Sequence, residues 1–173
     1  VSTTPLTATG EPNTTLTAKP GAFSKVNSVS FKFATDTGIK FECSLDGAEF
    51  AACASPQSYS ALSEGRHTLK VRAISATGTP DATPASHTWT VDTVIPVASI
   101  SGLSSTPVSS SSVTATLGCS EANCAFLCSL DGSVLAGCNA THAMSGLKDG
   151  DHTLRVSAVD EARLLDLLDE ALG

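Results

Sequence analysis

Apolar and polar residues alternate along most of the chain with the period of two that characterises half-buried β-strands. The apolar members of the first clear run are Val29, Phe31 and Phe33, and their neighbours are polar. Residues 41–45 repeat the pattern, with Ser44 among the outward positions. Both stretches are therefore predicted to be strands that bury one face.

Turn-forming residues separate these strands from further ones. Asp46-Gly47 tolerates positive φ angles and is typical of a tight hairpin. Another strand is predicted over residues 57–62, a further one after Gly65, and a closing one over residues 87–91. About seven short strands at spacings of roughly 8–12 residues favour an antiparallel sandwich of the immunoglobulin type.

The first half of the chain is repeated in the second half, 85 positions further on. The pentapeptide Cys-Ser-Leu-Asp-Gly that begins at Cys43 returns at Cys128, and 15 of the 31 positions from Cys43 to Ala73 are identical in the second copy. A self-match of this quality indicates a duplicated structural unit. The predicted fold class is therefore all-β, with two tandem immunoglobulin/fibronectin-III-like β-sandwiches.

The repeat also sets the expected domain boundaries. We predict a flexible N-terminal segment over residues 1–11, a first domain over 12–95, a second domain over 96–160, and a leucine-rich acidic tail over 161–173. Proline at position 96 stiffens the joint between the domains and cannot donate to a sheet.

The tail makes the second domain atypical. Its composition favours a helix, and it stands where the first domain has its Trp-bearing closing strand. The second domain is thus expected to lack a recognisable last strand. Either a short helix from the tail covers the core, or a strand from another subunit, for which residues 1–11 are a candidate, fills the gap.

Six cysteines are placed in a pattern that predicts disulfides. Small domains bury only ~60% of their unfolded surface and gain from covalent reinforcement. The first pair brackets the predicted hairpin and the second pair brackets its copy, so each is expected to close within its own domain: Cys43 with Cys53, and Cys128 with Cys138. Cys119 and Cys124 then remain for each other, although four cysteines in one domain allow three connectivities.

A zinc site is the alternative interpretation of the cysteines in the second domain. Cys119, Cys124, Cys128 and Cys138, with His142, supply the ligand types of a zinc site, but their spacing departs from the usual pair of closely spaced cysteines. Two of the four also have counterparts in a domain that lacks the others. Disulfides are therefore preferred, and no metal or other cofactor is expected.

The remaining candidate residues do not form a catalytic set. His67 and His152 occupy equivalent strand positions, which indicates a structural role, and His87 is expected to pack near Trp89. No nucleophile elbow of the Gly-x-Ser-x-Gly type occurs. We therefore expect a protein that is not an enzyme. Asn13 and Asn139 each begin an N-glycosylation sequon and are candidate glycosylation sites.

Composition narrows the partners and the compartment. The formal net charge of -7 comes without a basic cluster, which argues against nucleic-acid binding. No apolar run approaches the ~20 residues of a membrane-spanning helix. Since cysteines pair where the compartment is oxidising, the protein is expected to be extracellular or at the cell surface.

The first domain resembles an immunoglobulin-like repeat of secreted surface proteins. The resemblance rests on the segments FECSLDGAEFAAC, HTLKVRA and TPASHTWTVDT. Such repeats occur in tandem in bacterial adhesins and in large extracellular proteins of algae. The resemblance implies a stalk, an adhesive module or a fibre component, and it implies no catalytic residue.

Three functions follow from these expectations. The first is a non-catalytic extracellular structural or adhesive module, with protein partners, glycans or its own copies as binding partners. The second is a filament subunit that assembles by strand donation into the incomplete second domain. The third is a carbohydrate-binding accessory module of a secreted enzyme, which would need a cluster of exposed aromatic side chains.

Overall fold

The computed structural model describes residues 11–160 and 162–164. The chain divides into two compact units between Thr93 and Val94, two residues before the predicted boundary. The described residues of each unit form two small β-sheets. The predicted all-β class, with two tandem sandwiches, is confirmed. None of the helical residues described belongs to a helix long and apolar enough to span a membrane.

Within residues 11–93 the first unit contains eight strands, one more than predicted. They are β1 (Thr14–Ala18), β2 (Phe23–Ser24), β3 (Val29–Thr35), β4 (Lys40–Leu45), β5 (Ala51–Cys53), β6 (Gln57–Tyr59), β7 (Gly65–Ile74) and β8 (Ala85–Val91). One sheet has the order β1-β3-β6 and the other β2-β8-β7-β4-β5. The extra strand is the two-residue β2, which pairs in parallel with β8.

The alternating residues of β3, β7 and β8 form the core of this unit. Phe31, Leu69 and Val71 are fully buried, and Trp89 is 1% exposed. The rings of Phe31 and Trp89 lie 5.1 Å apart, so the closing strand contributes a large aromatic side chain to the centre of the sandwich.

The prediction that Ser44 faces solvent is wrong. Ser44 is 4% exposed, and its hydroxyl donates to the carbonyl of Ala48 at 2.5 Å. Ser129, its counterpart, donates to Ser133 in the same way. Because the hydroxyl finds an acceptor within the hairpin, the side chain can be buried at a position that alternation assigns to solvent.

The second unit repeats this plan with six strands among the described residues. They are β9 (Ala98–Ser101), β10 (Ser112–Cys119), β11 (Ala125–Leu130), β12 (Ala136–Cys138), β13 (Thr141–Ser145) and β14 (Leu154–Val159). Its sheets have the orders β13-β10-β9 and β12-β11-β14. Ala115, Leu117, Phe126 and Met144 lie at its core.

The two units differ in the neighbours of β7 and of its counterpart in the second unit, β14. In the first unit β7 pairs with β4 on one side and β8 on the other. Its counterpart β14 pairs with β11, and no strand within residues 11–160 pairs with its other side, here called the open edge.

A helical turn follows β14. Residues 162–164 are helical, and the carboxylate of Asp160 accepts the backbone N–H of Arg163 at 2.8 Å, as an N-cap does. Ala162 is buried. The rest of the predicted tail over residues 161–173 lies outside the described residues, as do residues 1–10 of the predicted N-terminal segment.

Candidate functional site

Two of the three disulfides close the repeated hairpin. Cys43 and Cys53 join β4 to β5 with their Cα atoms 5.8 Å apart, and Cys128 and Cys138 join β11 to β12 at 5.9 Å. In each hairpin the cysteines are diagonal neighbours, since Cys43 lies opposite Ala51 in the strand register. Each bond therefore fixes the register of a short outer strand.

The third disulfide belongs to the second unit alone. Cys119 is the last residue of β10, Cys124 directly precedes β11, and their Cα atoms are 6.4 Å apart. Because β10 and β11 belong to different sheets, this bond fixes the connection between them. His142 lies close to Cys128 and Cys138, but the sulfur atoms are bonded in pairs and so present no thiolates to zinc.

The turn inside each hairpin has the geometry that its sequence predicts. Asp46 and Gly47 have φ angles of 52° and 81°, and the N–H of Ala48 donates to the carbonyl of Leu45 at 3.0 Å. Positive φ at both central residues defines a type I′ turn, for which Asp-Gly is a preferred sequence. Asp131 repeats the positive φ, at 51°.

The turn aspartate holds a histidine from the neighbouring strand. Oδ2 of Asp46 lies 2.7 Å from Nδ1 of His67, and Oδ1 accepts the backbone N–H of Thr68 at 2.7 Å. The other ring nitrogen of His67 lies 2.9 Å from the carbonyl oxygen of Ser63. We call this arrangement, with its copy around Asp131 and His152, the Asp–His clasp.

The clasp favours the protonated imidazole. Both ring nitrogens of His67 face acceptors, and only the imidazolium donates from both. The carbonyl of Ser63 and the carboxylate of Asp46 accordingly raise the pKa of His67 above its ordinary value. In the copy, Asp131 and then the carbonyl of Lys148 raise the pKa of His152.

The two clasps differ in how well they are covered. The side chain of His67 is 7% exposed and that of His152 is 26% exposed. In the first unit the ring of Trp89 lies 5.7 Å from that of His67. The second unit has no tryptophan, so the imidazole of His152 stays partly open.

A buried network in the first unit was missed by the sequence analysis. Asp81 is 4% exposed and accepts the N–H groups of Thr14 and Thr83, each at 2.8 Å. The hydroxyl of Thr14 accepts the N–H of Ala73 at 2.8 Å. Burial alone would raise the pKa of Asp81, but these hydrogen bonds outweigh it and lower the pKa.

Nothing in the local sequence could have identified this network. Thr14 and Asp81 are 67 positions apart, and neither belongs to a recognisable motif. The carboxylate ties β1 to the loop before β8, and its oxygens are taken by hydrogen bonds from the protein itself.

A groove opens in the second unit beside the Asp–His clasp. It has a volume of about 910 Å³. Six side chains of the core and the clasp lie along it: Val113, Leu130, Met144, Leu147, His152 and Leu154. This is the size of a ligand pocket, and it borders the start of β14, the strand with the open edge.

Both sequon asparagines are exposed. Asn13 directly precedes β1, and Asn139 lies between β12 and β13. The exposure suits a glycan acceptor, and glycosylation at these two residues stays a prediction.

The aromatic side chains provide no platform for stacking sugars. The chain has six Phe, one Trp and one Tyr, all within residues 11–160, and none of them is in the exposed class. Phe50 is covered by the guanidinium of Arg72, which lies 4.0 Å from the ring centroid. The feature that a carbohydrate-binding module would need is therefore missing from that part of the chain.

Comparison with known proteins gives only weak similarities to solved structures. No model of a protein family matches the chain, and no curated protein matches it. Among solved structures, the chain is similar to the central fibronectin-III array of RIM-binding protein. The identity is 15% and the TM-score 0.31, over 84% of this chain and 56% of that one.

A second similarity is to the β-glucuronidase of Parabacteroides merdae. The identity is 9% and the TM-score 0.35, over 87% of this chain and 24% of the enzyme. The chain thus spans about half the length of the first structure and a quarter of the second. At such values nothing about binding or activity carries over to this protein.

Proposed function

We propose that the protein is a non-catalytic extracellular module, structural or adhesive, built from disulfide-stabilised immunoglobulin-like repeats. The observation that carries the proposal is that the potentially reactive residues of the repeat serve the scaffold. All six cysteines are in disulfides, and the two equivalent histidines are held in Asp–His clasps. The same hairpin, disulfide and clasp are built in both units.

The disulfides support the extracellular part of the proposal. Three disulfides in 173 residues are typical of proteins exposed to an oxidising environment. The tandem β-sandwiches and the sequence resemblance to repeats of secreted surface proteins agree with this location. The exposed sequon at Asn139 would also be accessible there.

Labelling of intact source cells tests this proposal. An amine-reactive reagent that does not cross membranes should modify exposed lysines such as Lys19 and Lys32, and the protein should be recovered from the surface or the medium. A cytosolic enzyme labelled in parallel is the control and should stay unmodified. Recovery of the protein only from the unlabelled intracellular fraction would refute the extracellular role.

A filament subunit is the second candidate, and the open edge of β14 favours it. An unpaired strand presents free N–H and C=O groups that pair readily with another strand. Deletion of residues 1–11, the donor predicted from the sequence, tests this candidate by negative-stain microscopy and size-exclusion chromatography. A filament former should become monomeric, whereas an unchanged assembly state would exclude N-terminal donation.

A further inference from the structure

The strand registers allow the second unit to be compared with the first, position by position. Val29 lies opposite Tyr59 in β3 and β6, and Val113 lies opposite Met144 in β10 and β13. By the same register Phe31 corresponds to Ala115. The second unit therefore carries alanine where the first has a buried aromatic ring.

The ring that packs against Phe31 also has no counterpart in the described part of the second unit. Trp89 comes from β8, opposite His67 in the strand register, and its ring lies 5.1 Å from that of Phe31. The groove lies where these two rings would be. The six residues along it correspond to Val29, Leu45, Tyr59, Leu62, His67 and Leu69 of the first unit, and all of these except His67 belong to the core cluster of Trp89.

The open edge of β14 has the hydrogen-bonding groups for one more strand. The N–H and C=O of Thr153 both face the β11 hairpin, since they bond to Asp131. Backbone groups alternate in direction along a strand. Those of His152, Leu154 and Val156 therefore point to the open edge, as those of their counterparts point to β8.

The missing neighbour also shortens the strand. β7 begins at Gly65 and β14 at Leu154, although Leu154 corresponds to Leu69. The four preceding residues, 150–153, are not in a strand. In the first unit the equivalent residues 65–68 pair with β8, so an added strand would extend β14 by four residues.

A carboxylate at the edge of the groove predicts a hydrogen-bond donor in the segment that would bind there. In the first unit Glu64 accepts the N–H of Thr93 at 3.0 Å and also the hydroxyl of Thr93, four residues beyond Trp89. These hydrogen bonds lower the pKa of Glu64. The corresponding residue of the second unit is Asp149, an exposed carboxylate on the groove.

A second acidic residue at the edge of the groove predicts that the bound segment differs from β8 at one position. Arg66 lies opposite Thr90 in the first unit, and the residue that corresponds to Arg66 is Asp151, which lines the groove. A basic residue directly opposite Asp151 would form a favourable cross-strand pair. The site therefore favours an occupant that is basic at the position of Thr90.

We propose that the groove and the open edge bind an extended segment of a neighbouring protein by strand addition, antiparallel to β14. The segment has the pattern Trp-(Lys/Arg)-Val-x-Thr. Its tryptophan fills the space beside His152, its basic residue pairs with Asp151, and its threonine donates to Asp149. The inference goes beyond the proposed structural role and names an occupant of the open edge other than residues 1–11.

A peptide of this chain's own residues 84–94, labelled with fluorescein and carrying Thr90→Lys, provides the test. Fluorescence anisotropy should show saturable binding to the full chain. Trp89→Ala in the peptide should weaken binding at least tenfold, because the indole supplies most of the buried area. The absence of binding, or binding that survives loss of the indole, would overturn the proposal.

Reversing the charge at residue 151 of the chain distinguishes binding in the assigned strand register from non-specific charge attraction. The Thr90→Lys peptide should bind the chain about threefold more tightly than a Thr90→Glu peptide. The order should reverse on an Asp151→Lys variant of the chain. The same order on both proteins would overturn the assigned register.

Amide hydrogen exchange locates the added strand. The peptide should slow exchange at His152, Leu154 and Val156 and leave their counterparts in β7 unchanged. Protection in β7 would show that the peptide replaces β8 in the first unit, and it would overturn the proposed binding site on β14. The oligomeric state of the chain is the last readout. If the chain self-associates and the peptide fails to dissociate it, another copy occupies the groove. That result would overturn the proposal.

Discussion

The indole ring of Trp89 lies 5.7 Å from the imidazole ring of His67, with 32° between the ring planes. This contact joins the closing strand of the first unit to the Asp–His clasp beside its hairpin. The corresponding imidazole in the second unit, that of His152, borders the groove instead. Both units therefore contain the Asp–His clasp, but only the clasp of the first unit is covered by a tryptophan ring.

The burial of Trp89 predicts a large loss of stability on truncation. Trp89→Ala should lower the unfolding free energy of the first unit by about 3–5 kcal/mol, since it empties a large aromatic site. Differential scanning calorimetry measures the effect. Ser86→Ala, an exposed change on the same strand, is the control and should leave the melting temperature unchanged. Equal melting temperatures for the two variants would contradict the position of β8.

The turn carboxylate predicts a smaller, local effect. Asp46→Asn keeps a side chain that tolerates positive φ but weakens the bonds to His67 and Thr68, so we expect a loss of about 1 kcal/mol. Exchange of the Thr68 amide should accelerate. The exposed Glu49→Gln is the matched charge control. If both variants exchange alike at Thr68, the clasp does not stabilise the hairpin.

The raised pKa values of His67 and His152 predict a pH dependence of stability. A group whose pKa is higher in the folded state stabilises the fold fully below its unfolded pKa of about 6.5. The contribution is lost as pH rises through the folded pKa. The groups that face the rings are the carboxylates of Asp46 and Asp131 and the carbonyls of Ser63 and Lys148.

Urea unfolding at several pH values above about 6.5 checks this prediction. The unfolding free energy of the wild-type chain should decrease with rising pH over this range. The double variant His67→Gln, His152→Gln should show a flatter profile, because glutamine does not titrate. A wild-type stability that is constant or rises there would contradict the assignment of both rings as imidazolium donors.

Most of the scaffold was predictable because its determinants are local in sequence. Alternation at Val29, Phe31 and Phe33 and the Asp46-Gly47 turn each act within a few residues, and the internal repeat predicts the turn a second time at Asp131-Gly132. What the sequence did not reveal depends on distant contacts. The hydroxyl of Ser44 is buried because the return of the hairpin brings a carbonyl to it.

The groove could be predicted only in part. The absence of a tryptophan strand was visible in the sequence and indicated an incomplete second sandwich. That Ala115 replaces Phe31 at the same site requires the strand register. The proposed roles of Asp149 and Asp151 likewise follow only from the contacts that their counterparts Glu64 and Arg66 make in the first unit.

The hairpin disulfides predict a graded loss of stability. Replacing both Cys43 and Cys53 by alanine should cost about 2–3 kcal/mol on the chain-entropy model, since it opens a loop with a sequence separation of 10 residues. Chemical unfolding of the variant against wild type measures it. The matched control is the wild-type chain in reductant, which should lose more, because all three bonds are then open. A variant as stable as wild type would show that the bond adds no stability.

The most direct test of an extracellular, disulfide-stabilised module is non-reducing peptide mass spectrometry of the protein from its natural source. Glu49, Glu121 and Asp131 lie between the members of the three pairs, and Phe126 lies between Cys124 and Cys128. Cleavage at acidic residues combined with chymotryptic cleavage after Phe126 therefore leaves each pair as two peptides joined only by sulfur. We expect the linked pairs Cys43–Cys53, Cys119–Cys124 and Cys128–Cys138. Free thiols at these positions, or stoichiometric zinc bound to them, would contradict this expectation.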